Sequence, residues 1–273
     1  MQILLDNLPA IFALVGTGVF AGVLAGLLGV GGGIVIVPVL YFLLQNFGVT
    51  PHSAMLLATA TSLATIIPTS ISSIRAHRKK GNVDSALLKS WGALILLGVL
   101  VGSSVVTFIG GQWLSALFGA VASLSALNML LRTGKSAIVQ SLPGRLGQSI
   151  MATSIGFFSS MVGIGGGTLS VPMLTACNYP AHKAVGTAAA IGLIISLPAA
   201  LTMLLLGQAP ADAPYGTIGL INIPAFICIV PLTVLFAPLG AKLASVMDAN
   251  LLKKIFAVVL LITGLRMLVQ TFM

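Results

Sequence analysis

"GVGGGIVIVP", Gly29–Pro38, and "GIGGGTLSVP", Gly163–Pro172, are one glycine-rich decamer written twice, 134 residues apart. Six of the ten positions are identical, all four glycines and the proline among them. Three glycines in a row are poor helix formers, yet each decamer lies between apolar runs that are good ones. The fold follows from what surrounds these two interruptions.

The chain has 273 residues, 58% hydrophobic and 6% charged, with a mean hydropathy of +1.13. A soluble domain carries about 25% charged residues, so this is an all-α integral membrane protein whose first partner is the lipid bilayer. Thirteen Lys and Arg stand against four acids. They fall mostly between apolar runs, which makes them topology signals and not the footprint of a nucleic-acid binder; no nucleic acid is expected. The amino terminus carries Asp6 and no cation before its apolar run, so 8–28 is read as a retained helix and not a signal peptide. Cys177 and Cys228 lack metal-ligand spacing and read as small core residues.

Apolar segments run over 8–28, 34–46, 53–74, 86–108, 113–131, 147–162, 168–177, 184–206, 218–245 and 251–271. The duplication outruns the decamer. "ATATSL" (58–63) aligns with "AVGTAA" (184–189), Thr61 over Thr187, and "NMLL" (128–131) with "RMLV" (266–269). Two membrane repeats follow, 1–134 and 146–273, joined by a cytoplasmic linker at 135–145. Lys and Arg favour the cytoplasmic side of short loops. The four cations of "RAHRKK" (75–80) place that loop inside, the uncharged turn near Gly110 lies outside, and Arg132–Arg145 returns inside. The turn near Asp248 is inside and "GQAPADAP" (207–214) outside, which leaves twelve of thirteen cations inside and Arg266 as the exception. The halves are then inverted repeats, an architecture of secondary transporters.

A helix rises about 1.5 Å per residue, and the hydrocarbon core is about 30 Å thick. Segments 34–46 and 168–177 are too short to span it, so each decamer sits at the tip of a re-entrant or discontinuous helical hairpin, accompanied by about three transmembrane helices per repeat. Irregular backbone at that depth must be buried in protein or line a wet cavity. Half-helices are expected to start near Gly33 and Gly167. A helix N-terminus offers unpaired N–H groups and partial positive charge, and glycine removes the Cβ that would hold a ligand away. Gly31, Gly32 and Gly33 with Gly165, Gly166 and Gly167 therefore read as two sides of one anion site. Thr61, Ser62 and Thr187 read as hydroxyl donors to it, with Thr59, Thr65 and Ser196 near by. Pro38 and Pro172, five residues past the last glycines, shape or gate the tips. Arg266 snorkels to the outer interface or draws anions to the outer mouth. His52, His77 and His182 fall in expected loops and take no role; His182 and Lys183 stand at the inner mouth. The decamer lacks the strand context and following acid of a dinucleotide fingerprint. No metal cluster, cofactor motif or nucleophile–base pair appears in the sequence, and no acid falls inside a spanning core, so no cofactor, no metal and no catalysis are expected.

The paired GxGGG-xxxx-P motifs, the "TSL" at 61–63, the "GNVD" at 81–84 and the two-half layout resemble the sulfite exporter TauE/SafE family, the TSUP transporters, over nearly the whole chain. The resemblance implies transport of sulfite, an organosulfonate or another small sulfur anion across the bacterial inner membrane. Ala188 stands where Ser62 has its counterpart and Gln208 where Asn82 does, so the two sides of the site are not expected to be identical. Export fits the physics: one charge crossing 100 mV is worth about 2.3 kcal/mol, and an inside-negative potential drives an anion outward without a coupling ion. The alternatives are a small-anion channel with the same site, or a membrane protein without transport.

Overall fold

The computed structural model describes residues 8–29, 31–131, 140–243 and 249–272. Val30 of the first decamer, residues 135–139 of the 135–145 linker and the turn near Asp248 lie outside them. The described chain is almost wholly helical: α1 (Leu8–Leu28), α2 (Gly33–Asn46), α3 (Pro51–Arg78), α4 (Ser85–Phe108), α5 (Gly111–Leu131), α6 (Arg145–Val162), α7 (Gly167–Ala176), α8 (Ala181–Leu205), α9 (Ile223–Leu243) and α10 (Ala249–Phe272). Five of these, α3, α4, α5, α8 and α9, are long and apolar enough to cross a membrane.

Local chemistry sets many of the boundaries. Thr50 caps α3 by accepting from Ser53 N, with Pro51 in the first turn, where a missing N–H costs nothing. Asp84 caps α4 through Ala86 N and Leu87 N. α6 ends at Gly163, whose φ of +75° turns the chain as left-handed glycine C-caps do.

Three expectations need correction. α3 runs on to Arg78, so four of the six residues of "RAHRKK" are helix: Arg75 and Arg78 sit in the last turn, where they oppose the negative end of the dipole. The histidines are not in loops: His52 lies in the first turn of α3, His77 in its last, and His182 in the first turn of α8. The segment from 218 does not start as helix. Thr217–Ile218 (β1) pairs antiparallel with Ile221–Asn222 (β2) around Gly219, whose φ is +57°, and Asn222 Oδ1 then caps α9 by accepting from Ala225 N.

α3 and α8 pack together at the centre, α3 with 78% of its most apolar stretch buried against 28% for α9. α1 packs along α9, α4 along α6, and α5 along α10; α9 also meets α3, and α4 meets α8. Small residues bring the axes close, as in membrane helix pairs. A Cβ on Gly26 would lie 1.8 Å from Ala237 O, one on Gly98 2.2 Å from Thr153 O, and one on Gly102 2.5 Å from Phe157 O. Leu97, Leu124 and Leu235 on α4, α5 and α9 point outward, a surface suited to lipid and not to water.

The bundle has two polar ends. At one, Thr50 N donates to Asp212 Oδ2, Gly111 N to His52 Nδ1, and Gln112 Nε2 to Thr271 O. At the other, Lys80 Nζ donates to Ala241 O and Asp84 N to Thr187 Oγ1.

Candidate functional site

The two glycine-rich segments meet at the centre. A Cβ on Gly31 would lie 3.5 Å from Gly165 Cα, and one on Gly33 2.6 Å from Gly163 O and 2.9 Å from Ser62 Oγ. α2 starts at Gly33 and α7 at Gly167, and neither start is capped by a side chain. Side chains cap α3 and α4, whereas α6 and α8, like α2 and α7, start without one. The first N–H groups of α2 and α7 are thus left without intrahelical partners and carry the positive ends of their dipoles.

The identical glycines are used differently. Gly29, Gly31 and Gly32 have φ of +66°, +73° and +83°, whereas in the second decamer only Gly163 has a positive φ. The first tip is wound left-handed, and the second enters its half-helix almost directly, with Gly166 already at φ −55°.

The hydroxyls divide into spent and unspent. Ser62 Oγ donates its one proton to Gly163 O at 2.7 Å, which ties α3 to the second tip. Thr61 Oγ1 accepts from Asn222 N at 2.9 Å, and Thr187 Oγ1 from Asp84 N at 3.0 Å. These two aligned threonines hold matched partners: each binds the capping residue of a helix in the opposite half. Thr65 Oγ1 donates to Ser62 O in its own helix. Thr59, Ser70 and Ser196 are buried with hydroxyls that have no partner. Pro38 and Pro172 lie inside α2 and α7, which continue through them; Pro38 also lines a mostly apolar cavity of about 270 Å³ with Gly16, Phe20 and Val259.

Beyond the tips, Tyr179 OH donates to Asp84 Oδ2. That bond, with the Leu87 and Ala86 amides and the nearby Lys183 charge, holds the Asp84 carboxyl below its usual range. Burial and the adjacent carboxylate push the Tyr179 hydroxyl up. At the opposite end, hydrogen bonds from Ser53 and Thr50 lower the Asp212 carboxyl to about 2. Arg266 lies with its guanidinium 4.3 Å over the Phe42 ring, beside Gln45, Asn46 and Gln270 in a cleft of about 350 Å³. His182 and Lys183 are exposed in the first turn of α8.

Asn222, Ser70 and Gly192 were not singled out by sequence. Asn222 sits in a stretch that reads as the start of a helix, and only the β1–β2 hairpin makes it a cap. Ser70 and Gly192 are unremarked small residues inside long helices, with no local signal. The duplication aligns Gly192 with Ile66 and Ser196 with Ser70 at the same shift of 126 that aligns Thr187 with Thr61, and that alignment was the signal available.

The family model of sulfite exporter TauE/SafE matches residues 14–267. A probable membrane transporter protein of Haemophilus influenzae is 31% identical over 253 residues, 93% of this chain and 96% of that protein. One of Methanocaldococcus jannaschii is 30% identical, covering 92% of each chain. A third, of Bacillus subtilis, is 28% identical over 94% of this chain and 97% of its own. No solved structure matches the chain.

Proposed function

This chain belongs to the sulfite exporter TauE/SafE family, and from that premise we propose that it carries sulfite or a related small sulfur anion outward across the bacterial inner membrane. The anion sits where the Gly31–Gly33 and Gly165–Gly167 tips meet. One observation carries this reading: two uncapped helix starts converge with their backbones in contact at the centre of a membrane bundle. Peptide N–H groups aimed at one region attract an anion without a cationic side chain, and they hold it loosely enough to release it.

The halves, 1–134 and 146–273 around the 135–145 linker, act as inverted repeats. The pairing of helices supports this: shifting each helix by five turns α1 on α9 into α6 on α4, and α9 on α3 into α4 on α8, while α3–α8 and α5–α10 map onto themselves. In this architecture α1–α2 enters and leaves by the Thr50 end, and α6–α7 by the Lys80 end. Ser62, Thr61 and Thr187 serve the site by fixing its walls, since their hydrogen bonds are made to backbone. Pro38 and Pro172 shape the half-helices by leaving a carbonyl one turn back without its helical partner.

Voltage supplies the drive. The two acids among the described residues, Asp84 and Asp212, lie at a helix cap and in a loop, away from the tips, and an inside-negative potential of 100 mV gives an outgoing monovalent anion about 2.3 kcal/mol. Proteoliposomes loaded with labelled sulfite test this. An imposed potential, negative on the cytoplasmic side, is expected to speed efflux, and Gly32→Leu or Gly166→Leu to abolish it. Efflux indifferent to both voltage and these substitutions overturns the proposal.

A further inference from the structure

Ser70 is out of step with its neighbours on α3. Thr69 donates to Thr65 O and also bonds Thr233 Oγ1, and Ser73 donates to Ala25 O. Ser70 is 1% exposed and its Oγ has no partner. Burying an unpaired hydroxyl costs folding free energy, so its position calls for a use. It faces Gly192 on α8. A Cβ built on Gly192 would lie 3.1 Å from Ser70 Oγ, 3.6 Å from Gly166 N and 4.0 Å from Ile66 Cγ2. The position that a side chain at 192 would fill is therefore bordered by a buried hydroxyl and by the amide at the uncapped start of α7.

The first half differs at the aligned position. Ile66, aligned with Gly192, comes within 3.0 Å of a Cβ on Gly31 and 2.8 Å of one on Gly33. At this aligned position an isoleucine packs on the first tip and a glycine stands beside the second, where Ile191 packs on Gly166 instead, its Cγ2 2.5 Å from a Cβ there. We infer that the anion binds one-sidedly: an oxygen of the oxyanion lies beside Gly192 and accepts from Ser70 Oγ and Gly166 N, with Ile66 as the apolar wall. A hydroxyl and a peptide N–H supply two donors, so the spot suits an oxyanion. Gly192 sets the room available to that oxygen, and any side chain there takes its place. This inference rests on the proposed function and deepens it.

The test uses the purified full chain, with sulfite titrated by calorimetry and melting followed in parallel. Gly192→Ala and Ser70→Ala are each expected to weaken sulfite binding about tenfold, the loss of one hydrogen bond worth about one decade in affinity. Ser70→Ala is expected to leave the anion-free melting temperature unchanged or higher, because its hydroxyl has no partner to lose; a purely structural serine would melt lower and bind sulfite as before. Should Gly192→Ala fail to fold, Ser70→Ala decides alone. Wild-type binding that both variants retain overturns the one-sided site and leaves the proposed function standing. A wild type that binds none of sulfite, sulfate or thiosulfate sinks the proposed function, and this site with it.

Discussion

At the scale of single residues, the glycines divide by what faces them. Gly33 is needed because a Cβ there would lie 2.6 Å from Gly163 O and 2.8 Å from Ile66 Cδ1. The carbonyl belongs to backbone and cannot swing away. Gly33→Ala is expected to cost about 1–3 kcal/mol, as overpacking does, and to stop sulfite flux. Gly16, in α1, has nothing within 4 Å of its would-be Cβ, so Gly16→Ala is expected to be neutral or to stabilise by up to about 1 kcal/mol with flux intact. Melting in detergent and vesicle efflux check both; equal effects of the two substitutions would contradict the close contact between the tips. The decamer made the glycines visible in sequence. It did not reveal that the first copy turns left-handed at three positions and the second at one. Conformation there is set by the neighbour each glycine meets, Ala21 for Gly32 and Ile191 for Gly166, and those neighbours come from other elements.

At the scale of elements, the starts of α2 and α7 were legible, whereas the start of α9 and the ties between helices were not. Half-helices begin at Gly33 and Gly167, where a glycine run gives way to an apolar one. Thr61 and Thr187 looked like ligand donors because they are polar, paired and intramembrane. The structure has them accept from Asn222 N and Asp84 N, so they hold the starts of α9 and α4 against the opposite half. Thr61→Val and Thr187→Val keep shape and remove the acceptor. Each leaves a peptide N–H unpaired and is expected to cost about 1–3 kcal/mol, read as a lower melting temperature that serine at the same position restores. Thr65→Val is expected to melt close to wild type, since its hydroxyl only supplements a bond within its own helix. Melting of all three variants at the wild-type temperature would remove the threonines from any structural role.

At the scale of the whole molecule, the polar ends carry the orientation. Lys79 and Lys80 lie at the end that holds Asp84, and Tyr215, 99% exposed, sits in the loop that follows Asp212 at the other. In a Cys177→Ala, Cys228→Ala background, Lys79→Cys is expected to react with an impermeant maleimide from the cytoplasmic face only, and Tyr215→Cys from the outer face only. Labelling of both from one side would refute the orientation. The sequence by itself determined the membrane setting, the apolar helices, the doubled decamer and the starts of α2 and α7. These depend on composition and on residues within a few positions of one another. Only the tertiary structure decided which group faces each buried hydroxyl. Ser62 donates to a carbonyl 101 residues away and Thr61 accepts from an amide 161 residues away, while Ser70 Oγ, near Gly192, has no partner. A hydroxyl's chemistry is fixed by the group that faces it, and in this bundle the facing group comes from the other half of the chain.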